Sequence, residues 1–294
     1  MKILLTGAGG FTGRHFAELA TQHGHQVVAL QADLTDAEAL AAEVLDVRPQ
    51  AVVHLAGIAF VGHAHEEAFY SVNVVGTTNL LDALIKLEKA PEAVLLTSSA
   101  NIYGNCDRSP IVETQAPAPV NHYAMSKLAM EHMARPYMDR LKIIVARPFN
   151  YTGPGQDEAF VIPKLAKHFA LRMPSISLGN LHVKREFNDV RMVCDAYLQL
   201  LSIGQAGEAY NVCSGRPYEL QAIIETFERL SGHGLAVNVN PAFVRTNEVH
   251  SLYGSPDKLN TLLRRQGRAP EPPPLEETLK LMLASMEATR AAHH

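Results

Sequence analysis

The sequence contains no tryptophan and only three cysteines among its 294 residues. Cys106, Cys194 and Cys213 are odd in number and form no Cys-x-x-Cys pair, which argues against a disulfide framework and a dithiol motif. The closely spaced His63 and His65 have no nearby cysteine or histidine to complete a tetrahedral set of ligands. We therefore expect neither disulfides nor a metal site.

Positive charge is not in surplus either. The 26 Lys and Arg residues face 30 Asp and Glu residues, for a formal net charge of −4, so no basic field favours nucleic acid or an anionic membrane. No apolar run approaches the roughly 20 residues that cross a bilayer. The first residues have the pattern of a strand rather than of a signal peptide. We expect a cytoplasmic protein with neither a nucleic-acid nor a membrane partner.

Strands and helices alternate through the first half of the sequence. Apolar segments such as Ala51–Leu55 and Ala93–Thr97 have the composition of parallel strands that are covered on both faces. Segments with helical periodicity separate the strands, among them Thr12–His23, about Tyr70–Glu88, and His122–Leu141. The alternation predicts an α/β fold with a doubly wound parallel sheet (Rossmann), whose ligand lies at the carboxyl ends of the strands.

The second half is less regular and predicts a second unit. After residue 150 the segments shorten, although a helix over Val190–Leu201 and a strand over Ala209–Cys213 return to the pattern of the sheet. We predict a dinucleotide-binding domain of residues 1–150 plus about 188–213. Residues 151–187 plus 214–294 then form a smaller, discontinuous α/β domain that binds substrate.

A glycine-rich turn follows the first predicted strand. Gly7, Gly10 and Gly13 have the spacing G-x-x-G-x-x-G and lie between an apolar strand and a segment with helical periodicity. Such glycines let the backbone approach a pyrophosphate, and the positive end of the following helix points at it. A loop of this kind also occurs as an ordinary strand-to-helix turn, so it does not by itself indicate a nucleotide site.

A second pattern points to catalysis. Ser98 and Ser99 end a predicted strand, and Tyr123 and Lys127 lie four residues apart on a predicted helix, so the phenol and the ammonium share one face. A Tyr/Lys pair alone is more typical of an exposed helix with a solvated lysine. The order of strand, glycine loop, serine strand and Tyr/Lys helix favours a nicotinamide-dependent redox enzyme.

Five segments resemble the extended short-chain dehydrogenases/reductases, specifically the nucleotide-sugar epimerase/dehydratase group, and the resemblance covers nearly the whole chain. The segments are Thr6–Gly13, His54–Gly57, Ser98–Gly104, Tyr123–Lys127 and Arg147–Asn150. The resemblance implies that Ser99, Tyr123 and Lys127 form the catalytic triad. We expect the charge of Lys127 to lower the pKa of Tyr123, which then exchanges a proton with a sugar oxygen that Ser99 holds.

The same resemblance implies the residues that contact the dinucleotide. They are Gly7, Gly9, Gly10, Phe11, Thr12, Gly13, Asp33, Leu34, Leu55, Ala56, Gly57, Thr97, Ser98, Tyr123, Lys127 and Pro148.

The choice between NAD and NADP depends on the end of the second strand. An acid there would bind the ribose hydroxyls of NAD, but the strand ends in Leu30-Gln31. No arginine for a 2′-phosphate follows either, and Arg14 is either a cation for that phosphate or an ordinary solvated side chain. The missing acid favours NADP(H) over NAD(H).

Differences among members of the group narrow the chemistry. Nucleotide-sugar 4,6-dehydratases carry a glutamate two residues after the catalytic Ser or Thr, whereas this chain has Asn101. An amide cannot serve as that acid or base, which leaves ketone reduction or alcohol epimerisation. Segments around Asn180–Arg185 and Arg245–Glu248 resemble the GDP-mannose branch, although Thr246 stands where the branch usually has proline.

These segments imply a GDP-sugar substrate. Arg185 is expected at the diphosphate, Arg245 and Glu248 at the nucleotide ribose and phosphate, and Asn180 near the base. The full set of expected substrate contacts is Ser99, Asn101, Asn150, Val161, Lys164, Asn180, Arg185, Arg245 and Glu248.

The resemblance implies reduction of the C4 ketone of GDP-4-keto-6-deoxy-D-mannose to GDP-D-rhamnose. Three alternatives remain open: a reductase that gives GDP-6-deoxy-D-talose, a 4-epimerase of GDP- or UDP-sugars with tightly bound NAD, and a non-catalytic nucleotide-binding regulator.

The resemblance also implies a homodimer that buries the helix before the serine strand and the Tyr/Lys helix in a four-helix bundle. Apolar residues of these helices are Val74, Leu80, Leu81, Leu84, Ile85, Leu128, Met130 and Met133.

Overall fold

A six-stranded sheet, parallel throughout, organises the chain, whose computed structural model describes residues 1–58, 65–240, 250–268 and 271–292. The strands are β1 (Lys2–Thr6), β2 (Gln26–Ala29), β3 (Ala51–His54), β4 (Ala93–Thr97), β5 (Ile143–Pro148) and β10 (Ala209–Val212). Their order in the sheet is β10-β5-β4-β3-β1-β2. Because β1 pairs with β2 on one side and β3 on the other, the order reverses at β1. A ligand crevice is expected there.

Helices cover both faces of this sheet. The helices are α1 (Phe11–Gln22), α2 (Ala37–Val47), α3 (Glu66–Tyr70), α4 (Thr77–Leu84), α5 (His122–Ala134) and α7 (Val190–Ile203). Alternate residues of β1 point to opposite sides: Leu5 packs with α1 and α7, whereas Leu4 packs with α2, α4 and α5. The doubly wound α/β fold predicted from the sequence is confirmed.

Two helices differ from their predicted extents. The helix predicted from Tyr70 begins at Glu66 and contains a π-helical segment, Ser71–Gly76, between α3 and α4. The helix predicted to reach Leu141 ends at Ala134 and continues as a 3₁₀ turn, Arg135–Tyr137. Pro136 lies in that turn, and it lacks the amide hydrogen that a continuing α-helix needs.

A second apolar core lies outside the sheet. The helices α6 (Val161–Ala170), α8 (Leu220–Ser231) and α10 (Leu275–Ala292) form it with the paired strands β7 (Ser175–Leu178) and β12 (Ala236–Val239). The remaining strands are short: β6 (Tyr151–Thr152) pairs with β9 (Asn188–Asp189), and β8 (Lys184–Glu186) lies between β11 (Pro217–Glu219) and β13 (Ser251–Leu252).

Helix α9 (Asp257–Arg264) does not pack with this second core. Its Leu259 and Leu263 lie in the same apolar cluster as the face of the sheet that α1 and α7 cover. The predicted division at residues 151–187 and 214–294 stays a prediction, and within it α9 packs on the first unit.

Asp189 connects the two cores. Its carboxylate caps the N-terminus of α7 by accepting from the Arg191 amide at 2.7 Å, and it accepts from the buried Thr278 hydroxyl of α10, also at 2.7 Å. Burial acts to raise the pKa of Asp189, but an ion pair with the Arg191 guanidinium at 2.7 Å, together with these hydrogen bonds, holds that pKa below its usual range. Among the helices that the structure describes, none is both long and apolar enough to span a bilayer.

Candidate active site

The glycine loop lies at the carboxyl end of β1, where the strand order reverses. Gly7 has φ +71°, and a side chain there would come within 2.7 Å of the Ala56 amide, so the loops after β1 and β3 approach too closely for any other residue. A side chain on Gly13 would collide with the Gly7 carbonyl, whereas the space beside Gly9 is open. The loop therefore presents bare backbone to the crevice.

The N-terminus of α1 supplies the hydrogen-bond donors of this crevice. Its N-cap, Gly10, is exposed and offers no side-chain acceptor to the first amides of the helix. Tyr151 closes one side: its hydroxyl pairs with Thr12 Oγ1 at 2.8 Å, and its ring stacks on Phe11 with centroids 6.1 Å apart. Unpaired amides at a helix N-terminus suit an anion such as a pyrophosphate.

Ser99, Tyr123 and Lys127 lie in one buried cluster, and none of them is more than 8% exposed. Ser99 follows β4 and caps a 3₁₀ helix, Ala100–Tyr103, by accepting from the Asn101 amide at 3.1 Å. Tyr123 and Lys127 are one turn apart on α5, and Lys127 Nζ donates to the Thr97 carbonyl at 2.9 Å. The carboxyl end of β4 and the first turns of α5 thus bring the three predicted catalytic residues together.

The expected direction of the Tyr123 pKa shift is wrong for this structure. Burial raises the pKa of Tyr123 above its usual value, and a hydrogen bond with Ser99 opposes that rise only in part. Burial also lowers the pKa of Lys127 to about 8, although the nearby Glu131 carboxylate acts to raise it. Because removing the phenol and the ammonium from water disfavours the charged form of each, Tyr123 is a protonated phenol at neutral pH.

A buried polar network that the sequence analysis missed lies behind the cluster. His54, which is wholly buried, pairs through Nδ1 with Thr6 Oγ1 at 2.7 Å and through Nε2 with Thr77 Oγ1 at 2.9 Å. Thr77 donates its own proton to the Asn73 carbonyl, so it must accept from His54 Nε2, and Thr6 donates to Nδ1. Burial and the charge of Lys127 lower the pKa of His54 to about 3, in agreement with this neutral tautomer.

The π-helical segment places Asn73 at the centre of the same network. Asn73 Oδ1 accepts from the Ile58 amide at 3.0 Å, and Nδ2 donates to Ser126 Oγ at 3.0 Å. A side chain at Gly57 would come within 2.8 Å of Asn73 Oδ1 and 3.2 Å of Lys127 Nζ. Asn73 therefore joins the loop after β3 to the helix that carries Tyr123 and Lys127. Single π-turns within helices are often found at functional sites.

Ser98 provides a test of whether the residues here fit a dinucleotide. Among the described residues its Oγ is buried and has no hydrogen-bond partner, and it lies next to Ser99, one of the predicted catalytic residues. A buried hydroxyl without a partner is costly unless something else completes its hydrogen bonding. The bare glycine backbone, the free amides of α1 and Ser98 Oγ fit a bound nicotinamide dinucleotide.

The other predicted cofactor contacts lie around the same crevice. Leu55, Ala56 and Gly57 follow β3, and the Ala56 amide donates to Thr6 Oγ1 at 3.0 Å. Farther out, Asp33 forms a tight turn with Thr35, whose amide and hydroxyl hydrogen bonds lower the pKa of the exposed Asp33 carboxyl. Leu34, Thr97 and Pro148 complete the predicted set, and Leu34 is buried near Gly76. Their roles stay predictions.

The predicted substrate contacts lie on several elements. Ser99 and Asn101 belong to the catalytic cluster, Val161 and Lys164 lie in the first turn of α6, and Arg185 lies on β8. Asn150 is exposed, and its carbonyl accepts from the Asn188 amide at 2.8 Å; Asn180 Oδ1 accepts from the His182 amide at 3.0 Å. Two further predicted contacts, Arg245 and Glu248, lie outside the described residues.

Glu186, next to Arg185, is a positioning residue that the sequence analysis missed. Its buried carboxylate accepts from the amides of Ser214, Gly215 and Gly254 at 2.7–2.9 Å. Burial nevertheless raises the pKa of Glu186. Two segments of the second unit, one at Ser214 and Gly215 and one at Gly254, are thereby fixed around β8. An acid next to a predicted phosphate-binding arginine gives no sequence signal that its carboxylate accepts hydrogen bonds from three backbone amides.

Comparison with known proteins agrees with this geometry. Residues 3–213 match the profile of the NAD dependent epimerase/dehydratase family. The chain is 35% identical to the GDP-6-deoxy-D-talose 4-dehydrogenase of Aggregatibacter actinomycetemcomitans, over 90% of this chain and 91% of that protein. It is 36% identical to the GDP-6-deoxy-D-mannose reductase of Pseudomonas aeruginosa, over 88% of this chain and 90% of that protein.

Solved structures share the fold over nearly the whole chain. A protein from Burkholderia cenocepacia J2315, provisionally named an epimerase, is 48% identical, with a TM-score of 0.91 and 98% of each chain covered. The structure of RMD from Pseudomonas aeruginosa complexed with NADPH is 32% identical, with a TM-score of 0.89, and covers 98% of this chain and 99% of that one.

Proposed function

The chain belongs to the NAD dependent epimerase/dehydratase family, and from that premise we propose that it reduces the C4 ketone of a GDP-4-keto-6-deoxyhexose. It is an NAD(P)-dependent oxidoreductase by its family and its relatives. The observation that carries the proposal is the buried cluster of Ser99, Tyr123 and Lys127. This cluster lies in a chain that is similar, over about nine-tenths of its length, to a 4-dehydrogenase and a reductase of GDP-6-deoxyhexoses.

The chemistry divides between cofactor and protein. A reduced nicotinamide supplies the hydride that adds to C4 and breaks the C=O π bond. Tyr123 donates its phenolic proton to the C4 oxygen, which becomes the hydroxyl, while the Ser99 hydroxyl holds that oxygen by a hydrogen bond. The raised pKa of Tyr123 suits a proton donor, because the phenol is fully protonated when the substrate arrives. Lys127 lies one turn away and is held by the Thr97 carbonyl.

Asn101 supports reduction over dehydration. Its backbone amide already donates to Ser99 Oγ at 3.1 Å, and its neutral side chain lies where the 4,6-dehydratases of the group have a glutamate. A neutral amide does not remove the proton that water elimination requires. Asn101 therefore acts on substrate as a hydrogen-bonding residue.

The second unit is proposed to bind the GDP moiety. Arg185 and Arg245 are proposed to bind the diphosphate and the nucleotide phosphate through their forked donors. Glu248 is proposed to bind the ribose, and Asn180 the base. The product is proposed to be GDP-D-rhamnose. A relative that is 36% identical is a GDP-6-deoxy-D-mannose reductase, and one that is 35% identical is a GDP-6-deoxy-D-talose 4-dehydrogenase, so GDP-6-deoxy-D-talose is the alternative product.

The cofactor is a nicotinamide dinucleotide. The family is NAD dependent, and the related RMD structure contains NADPH. The preference for NADP(H) depends only on the missing acid after β2 and stays a prediction of the sequence. The cytoplasmic location likewise stays a prediction.

The proposed homodimer has an exposed apolar face to bury. Val75, Met125 and Met133 are 52%, 44% and 47% exposed on the π-helical segment before α4 and on α5. Of the residues named from the sequence, Met133 lies on this face, whereas Leu80, Leu81, Leu84 and Met130 pack against the sheet. A face of this kind on two adjacent helices supports a four-helix bundle between two copies.

The test is consumption of NADH and NADPH with enzymatically prepared GDP-4-keto-6-deoxy-D-mannose, with the sugar product identified by NMR. We expect stoichiometric oxidation and one 4-hydroxy epimer, and the H3–H4 coupling distinguishes rhamnose from talose. Folded protein that oxidises neither cofactor contradicts the proposal. Cofactor-independent interconversion of GDP- or UDP-sugars would identify a 4-epimerase instead.

A further inference from the structure

The end of β2 carries an unusual arrangement of charge. Gln31 is exposed and follows Leu30, whose amide still donates to the Leu5 carbonyl. In dinucleotide-binding folds the residue at this point meets the adenosine ribose, where an acid binds the 2′-hydroxyl of NAD and an arginine accommodates the 2′-phosphate of NADP. Gln31 provides neither, and its side chain donates to the Ala29 carbonyl at 3.0 Å.

A carboxylate of helix α2 lies at this end of β2. Glu43 of α2 accepts from the Gln31 amide through Oε1 at 2.9 Å and from the Ala32 amide through Oε2 at 2.7 Å. Two consecutive backbone amides at a strand end are donors that can bind phosphate oxygens. In this chain a negatively charged group occupies both donors. The sequence has no acid directly after β2, but in the folded protein Glu43 places a carboxylate at that position.

No cation in the surrounding segment offsets this charge. Residues 26–47 include no lysine, arginine or histidine and contain five acids: Asp33, Asp36, Glu38, Glu43 and Asp46. Arg14, the cation considered for a 2′-phosphate, donates to the carbonyls of Gly9 at 2.7 Å and Gly155 at 3.2 Å. Its guanidinium therefore faces the loop after β6 rather than the end of β2.

We propose that Glu43 determines cofactor specificity and makes the chain prefer NAD(H) over NADP(H). A 2′-hydroxyl at this strand end meets a carboxylate that retains lone pairs to accept from it. A 2′-phosphate meets like charge and finds its backbone donors taken. The inference rests on the proposed nicotinamide-dependent function, and it reverses the preference that the sequence alone favours.

Binding of cofactor fragments tests this without turnover. Isothermal titration calorimetry with ADP-ribose and 2′-phospho-ADP-ribose, repeated with NADH and NADPH, gives the ratio of dissociation constants. We expect the wild type to bind the 2′-hydroxyl form at least tenfold more tightly. Glu43→Gln removes the charge, and Glu43→Ala also frees both amides, so each tightens binding of the 2′-phosphate form by about tenfold or more. Each changes binding of the 2′-hydroxyl form far less.

Asp46→Asn is the matched control, since it removes the same charge from an exposed position three residues further along α2. It should leave the ratio within about twofold of wild type. Two results would overturn the role of Glu43 and leave the proposed function intact. One is wild-type protein that binds the 2′-phosphate form as tightly as the 2′-hydroxyl form, or more tightly. The other is a Glu43→Ala variant in which the dissociation constants of both forms change equally. Folded protein that binds none of the four compounds overturns the proposed function as well.

Discussion

Arg147 of β5 and Glu131 of α5, the helix that carries Tyr123 and Lys127, form a buried bidentate ion pair. Arg147 Nε donates to Glu131 Oε1 at 2.9 Å and Nη2 to Oε2 at 2.6 Å, and Arg147 Nη1 also donates to the Tyr103 hydroxyl at 2.9 Å. Glu131 lies one turn beyond Lys127 on α5. The pair joins β5 to α5 and places a negative charge near the Lys127 ammonium.

Glu131→Gln should therefore change both stability and the acid–base behaviour of the site. Leaving Arg147 buried without its partner charge should cost about 3–5 kcal/mol of unfolding free energy. Loss of the carboxylate that raises the pKa of Lys127 should move that pKa below about 8. Denaturant unfolding and the pH profile of kcat/KM measure these effects. Breaking the exposed Arg229–Glu276 pair with Glu276→Gln is the control and should change neither.

Lys127→Met should stabilise the protein while it abolishes function. Because the folded-state pKa of Lys127 is about 8 and the ordinary value is 10.5, burial of the ammonium costs free energy in full below pH 8. The cost falls as pH rises from 8 to 10.5. We expect the variant to be about 1–2 kcal/mol more stable than wild type at pH 7, after the lost hydrogen bond to Thr97 is included, with the difference shrinking towards pH 10. An unchanged difference across this range would contradict the shifted pKa.

Tyr123→Phe should lower kcat about 10²–10⁴-fold, since the C4 oxygen loses its proton donor. The fold and the binding of cofactor should remain, as measured by thermal melting and calorimetry. Tyr70→Phe is a suitable control because the Tyr70 hydroxyl pairs with the exposed His122 outside the cluster. Turnover by Tyr123→Phe within about threefold of wild type would remove Tyr123 from the mechanism.

The buried His54 should give the protein a specific acid sensitivity. Its folded-state pKa is about 3 and its ordinary value is 6.5, so between these values the unfolded chain binds a proton that the folded chain does not. Stability from this residue therefore rises as pH rises through that window, by on the order of 5 kcal/mol. The difference in unfolding free energy between wild type and His54→Gln should grow by this amount from pH 3 to 6.5. A constant difference would show that His54 does not titrate as the network requires.

Met125→Glu with Met133→Glu should prevent dimer formation, because two charges on the exposed face of α5 would be buried against the partner copy. Sedimentation velocity should show a dimer for wild type and a monomer for the double variant. Leu171→Glu, which changes a side chain of similar exposure (42%) just after α6, should remain dimeric. A monomeric wild type would contradict the proposed bundle.

The sequence predicted the parallel sheet, and it led to the prediction of Ser99, Tyr123 and Lys127, which the structure places in one buried cluster, because local signals carry both. Apolar strands such as β3 and the four-residue spacing of Tyr123 and Lys127 are visible without any long-range contact. The direction of the Tyr123 pKa shift depends on burial by surrounding elements, and the prediction weighed only the neighbouring charge of Lys127.

Residues paired across elements could not be predicted in the same way. Glu43 and Gln31 are 12 positions apart, and nothing in the helical pattern of α2 shows that this acid turns back to β2. Asn73 reaches Ile58 and Ser126 from a π-helical segment whose side-chain periodicity differs from that of an α-helix.

The composition of the second core has a consequence for how the chain folds as it is made. Its early members, such as Leu165 and Phe227, pack against Leu279 and Met282 of α10. The apolar faces of α6 and α8 therefore stay uncovered until Leu275–Ala292 has left the ribosome, long after the strands of the sheet up to β10 are available to pair. Such exposed surface in a partly made chain is what chaperones bind and what promotes aggregation. Shortening α10 should therefore reduce the yield of soluble protein. The molecules that do fold should keep the conformation of the glycine loop.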